Sequence, residues 1–150
     1  MPNGSRTREQ ILTALAATPV RIAERTVGLT PAQLHAAPSP GAWSATEVLA
    51  HLRACADVWW DCIVTILTHD TPTIRAVNPR TWIKQTNYSE QAFQPSLHAF
   101  TTQRTAFLAV LEPLRLDVWA RSATVTGRAS LSYGRYRGMP SGWQAMNDHT

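Results

Sequence analysis

His51 and Cys55 stand four residues apart, a spacing that on a helix places an imidazole and a thiol on one face. Both groups bind metals, and an imidazole changes charge near neutral pH. Cys62 lies two turns beyond Cys55, about 10 Å away along a helix. That distance is too long for a disulfide, so the pair fits a reducing compartment. A metal site in a helical bundle needs three or four donors converging from different helices. After His51 and Cys55, the further donors are His98 and His149. The competing reading makes His51 a hydrogen-bonded side chain at the edge of an apolar core, and the residues alone favour it. The cysteines fall on an apolar stripe, where thiols pack inertly, and no cation or helix start lies beside them to lower a pKa. The chain has no nucleophile elbow, phosphate loop or dinucleotide fingerprint.

The element that must position His51 is well punctuated. Pro40 and Gly41 forbid a helix upstream, Ser44 caps, and Glu47 reaches back to the Ser44 amide in a capping box. The spacing predicts a helix from Ser44 to about Thr68, with Trp43 packed against its start. Val48, Leu52, Cys55, Trp59, Cys62, Ile63 and Ile66 form its apolar stripe, and Arg53, Asp57 and Asp61 face water, with an Arg53–Asp57 pair allowed. A first helix is expected from Thr7 to Val27, kinked or broken at Pro19 and ended by Gly28. Thr30 to Gln33 opens a short helical turn. Residues 69–88 read as a long irregular connection. A third long helix begins after Ser89 or Pro95 and ends at Leu111 before Pro113. Arg104 falls inside its apolar face. A buried guanidinium needs a partner, either a carboxylate such as Glu47 or backbone carbonyls. Tying helices together is the favoured role for it, over anchoring a substrate.

The segment Gly-x-Trp-Ser-x-x-Glu-Val-Leu-x-His-Leu, residues 41–52, resembles the DinB-like proteins of bacteria, the DinB/YfiT superfamily. The resemblance covers roughly residues 8–128. It implies an all-α fold, an antiparallel helical bundle of the four-helix type. It also implies a divalent metal (zinc, nickel or iron) held by three histidines, of which His51 matches the one on the second helix. Some members transfer or cleave thiol conjugates. The two histidines expected on the last helix have no counterpart here. From Leu131 onward the chain carries Gly134, Gly138, Pro140 and Gly142. In a helix each such glycine costs about 1 kcal/mol and an interior proline about 3 kcal/mol. The expected organisation is therefore a bundle over residues 1–130 and an irregular tail over 131–150, in place of a regular fourth helix. A shifted coding frame explains such a tail, and an alternative frame encoding a histidine-bearing amphipathic helix would support it. Three helices without the fourth leave an apolar groove, which predicts a homodimer.

The remaining composition narrows the classes. At 150 residues the chain makes one domain, and its 44% hydrophobic share is ordinary for a globular protein. The net charge is +4, with Arg121, Arg128, Arg135 and Arg137 clustered late. A solvated tail accounts for them, and no nucleic-acid-reading module accompanies them. No leader-like apolar segment opens the chain and no apolar run approaches a membrane span, so a cytoplasmic protein is expected. Two functions follow. One is a metal-dependent enzyme acting on a small molecule, by thiol-conjugate transfer or hydrolysis, with an impaired metal site. The other is a non-catalytic bundle serving as a scaffold or dimerisation module.

Overall fold

The computed structural model describes residues 6–127. Helix α1 spans Arg8–Thr26, α2 Pro31–His35 and α3 Ala45–Thr68. Strand β1 (Thr73–Arg75), helix α4 (Pro79–Trp82) and two 3-10 turns follow. Helix α5 spans Phe93–Leu111, α6 Leu116–Trp119 and strand β2 Thr124–Thr126. The starts of α1, α2 and α3 are each closed by a capping box, Thr7 with Gln10, Thr30 with Gln33 and Ser44 with Glu47. Each box satisfies backbone N–H groups that a helix start otherwise leaves orphaned. Gly28, at φ 78°, takes the left-handed turn that closes the first helical segment. The irregular fourth helix, the shifted-frame origin of the tail and His149 fall outside the described residues.

The three long helices pack around one core. Arg8 donates to the carbonyl of Glu112 and Arg104 to that of Leu15, so α1 and α5 run antiparallel. The α3–α5 contacts Arg53–Ser96, Asp57–Gln103 and Trp60–Phe107 advance together along both helices, so these two neighbours run parallel. Parallel neighbours require a connection that returns along the bundle. Helix α3 has 24 residues and is about 36 Å long. Residues 69–92 make that return, and this is why they are so numerous. They are not irregular throughout: β1 pairs in parallel with β2, Ile74 opposite Val125.

Pro19 neither breaks α1 nor ends it; the helix continues through it as one element. A proline has no N–H, so the carbonyl four residues earlier, that of Leu15, loses its helical donor. Arg104, only 5% exposed, supplies the missing donor from α5, with Nη1 3.2 Å from the Leu15 oxygen. Its charge lies 4.9 Å from the centroid of the Phe100 ring. Burial pushes the guanidinium down to about 10. Glu47, the carboxylate expected to meet Arg104, instead accepts the Ser44 N–H at 2.7 Å. Arg121 performs a similar service at the end of α3, donating to the Leu67 carbonyl at 2.9 Å.

The apolar stripe of α3 is rotated from the expected one. Leu49, Leu52, Ala56, Trp60, Ile63 and Leu67 face the core with Phe93, Leu97, Phe100, Phe107 and Leu111 of α5. Val48 is 41% exposed, and Trp59 is only half-buried. Trp60 stacks on Phe107 with ring centroids 4.4 Å apart. The polar face also departs from expectation. Arg53 donates to Gln91 and Ser96, at 2.7 and 3.1 Å, rather than turning to water. Asp57 accepts hydrogen bonds from three side chains, and Asp61 alone of the three is exposed.

Candidate functional site

The side of α3 next to its core face forms one wall of a cavity of about 280 Å³. His51, Cys55, Val58, Trp59 and Cys62 line that wall, spaced at one helical turn and its neighbours. Ile74 and Val125, cross-strand partners in the parallel pair, close the opposite side. Their neighbours along each strand point outward, as period-two alternation requires. Residues 76–80 complete the rim, with Arg80 as its cation. Trp43 stands at the mouth, 43% exposed, rather than packed down at the helix start.

His51 is held from two sides. Its Nε2 lies 3.4 Å from Cys55 Sγ, and its ring meets Trp43 edge-on with centroids 5.1 Å apart. Burial pushes the Cys55 thiol up to about 11, so it stays protonated at neutral pH. The spacing-based pairing of His51 with Cys55 is thus realised. His98 lies exposed on α5 and outside the lining of the cavity.

The connection over this site is pinned by Asp57. Its Oδ2 accepts from Trp82 Nε1 at 3.1 Å and from the Tyr88 hydroxyl at 2.5 Å, and its Oδ1 from Gln103 Nε2 at 2.8 Å. Arg53 stacks on Tyr88, 3.9 Å from the ring centroid. Desolvation, reinforced by the bond to Asp57, pushes the Tyr88 hydroxyl up to about 12. These residues fasten Trp82 and Tyr88, and with them the rim, to α3 and α5. The helical spacing alone turns Asp57 to water, whereas here it holds two aromatic residues of the connection. The aromatic pair in that connection was the available signal that something polar on a helix must hold it.

Zinc-type sites take three or four protein donors. Among the described residues no group of three His, Cys, Asp or Glu side chains converges. His51 and a neutral Cys55 thiol are two donors on one helix, so the described residues alone do not make a metal site.

Residues 14–139 match the family model described as the DinB superfamily. No curated protein sequence matches the chain. Among solved structures it is similar to YfiT from Bacillus subtilis, at 19% identity and a TM-score of 0.77, with 99% of this chain and 85% of that one covered. YfiT is described as a probable metal-dependent hydrolase with an unusual four-helix bundle topology.

Proposed function

The chain belongs to the DinB superfamily, and from that premise we propose that it is a small-molecule hydrolase whose chemistry is centred on His51. The observation that carries this reading is the placement of the imidazole on the wall of a cavity of about 280 Å³, between an indole and a protonated thiol. Family membership and the description of YfiT support hydrolysis; transfer of a thiol conjugate is the variant of the reading that shares the same pocket. A divalent ion, zinc, nickel or iron, belongs to the proposal with His51 as its donor from α3. Cys55 is the second donor at hand, and His149 is the further candidate in the sequence.

The chain's own residues do three things in this reading. The apolar walls of α3, Ile74 and Val125 exclude water from a bound substrate, which strengthens each polar contact inside. The Cys55 contact orients the His51 ring. The imidazole is the group that accepts or returns a proton.

The test uses the full-length chain purified without a histidine tag. A stoichiometric divalent ion, and turnover of a panel of small esters and amides, both lost in His51→Ala, are the expected results. Parent protein with neither metal nor turnover overturns the proposal. The shortage of donors among the described residues then favours the second reading, a non-catalytic bundle that pairs with its own copy. Its solution mass decides that point.

A further inference from the structure

The rim chemistry narrows what this cavity takes, on the reading that it is a small-molecule site. Among the described residues lining it there is no carboxylate, and the one permanently charged group is Arg80. The segment that covers it is of one sign: between Thr71 and Ser89 the sequence has Arg75, Arg80 and Lys84 and no aspartate or glutamate. The ion pairs within 4 Å among the described residues are Arg8–Glu9 and Arg115–Asp117, so Arg80 has no direct carboxylate partner among them. Its guanidinium instead lies 5.5 Å from the centroid of the Trp43 ring, and the same indole meets His51 edge-on at 5.1 Å. Arg80 is exposed at the rim and has no carboxylate partner among the described residues, so it sets a positive potential at the edge of the chamber.

We infer that the cavity recognises a compact apolar monoanion, a carboxylate in the first instance. Its apolar body lies between Trp59 and the Ile74–Val125 pair, and its carboxylate meets the Arg80 guanidinium, whose planar fork matches that group. Arg80 and His51 both lie against the Trp43 indole, which brings the guanidinium and the imidazole to one part of the cavity. A volume of about 280 Å³ lies just below the range of ligand pockets, roughly 300–1,000 Å³, and limits the body to one ring with a short chain.

Three probes of matched shape test this on the full-length chain: phenylbutanoate, phenylbutanol and phenylbutylamine, each titrated by calorimetry. The acid should bind about ten-fold more tightly than the alcohol, the scale of one charge-assisted contact, and the amine most weakly. Arg80→Gln should abolish the acid's advantage and leave the alcohol's affinity in place, whereas Arg80→Lys should keep part of the advantage. Equal affinities for the three probes, no binding by any, or an equal loss for acid and alcohol in Arg80→Gln overturns the inference. The parent protein's titration also separates this inference from the hydrolase reading: a preference for the acid in parent protein that shows neither metal nor turnover sinks that reading alone.

Discussion

Helix α3 carries two apolar faces, and they do different work. One, through Leu49, Ala56, Trp60 and Ile63, meets the aromatic side of α5 and is filled to close packing. The other, through His51, Cys55, Val58, Trp59 and Cys62, meets a strand pair and a short rim that leave a cavity. Both are apolar enough to count as core in a hydropathy pattern. The difference is made by what lies opposite. Against the first face stands a parallel helix whose side chains interdigitate. Against the second stands a connection whose Trp82 and Tyr88 side chains are fastened to Asp57.

The comparison can be broken at several points, from the largest expected effect down. Ile63→Ala empties a filled site and should cost about 2–5 kcal/mol, read by urea unfolding. Val58→Ala removes a side chain that already faces a void, so its cost should be about 1 kcal/mol or less. Equal costs at the two positions would erase the distinction between the faces. Arg104→Leu leaves the Leu15 carbonyl buried without a donor and should cost about 1–3 kcal/mol. In a Pro19→Ala background a backbone N–H returns, so the same substitution should cost less; simple additivity in that cycle would show that the guanidinium does not serve the proline gap. Ser44→Ala should cost about 1 kcal/mol by opening the capping box, with no effect on the cavity.

A further test is a pH dependence on the cavity face. The Cys55 thiol sits at about 11 in the folded protein against an ordinary 9.0. The folded state therefore holds that proton more tightly than the unfolded chain does. The resulting stabilisation is complete below pH 9.0 and is lost as the pH rises through about 11. The unfolding midpoint should fall more steeply across that window in the parent than in Cys55→Ala. Parallel curves would place the thiol in water.

Helix starts were legible because capping is local. Thr7, Thr30 and Ser44 each find their partner three residues away, whatever the rest of the chain does. The pairing of His51 with Cys55 was legible for the same reason, as one helical turn brings the two together. Arg104 was legible only in part. Its place in an apolar face announces a buried charge that needs a carboxylate or backbone carbonyls. That the carbonyl is the one left open by Pro19 emerges only when α1 and α5 are laid side by side.

What the sequence determined by itself is therefore a set of helices, their ends, and one imidazole–thiol pair on a defined side of α3. Capping boxes and turn-spaced contacts reach no farther than a few residues, so no other part of the molecule has to be known. Only the tertiary structure decided that α3 and α5 run in the same direction, that Asp57 fastens the return segment, and that the flank of α3 beside its core wall opens on a chamber. Those features depend on side chains brought from 25 to 46 positions away, Trp82, Tyr88 and Gln103 onto one carboxylate. Hydropathy along a single helix carries no record of such partners, because a filled wall and a hollow one expose the same greasy residues to the reader.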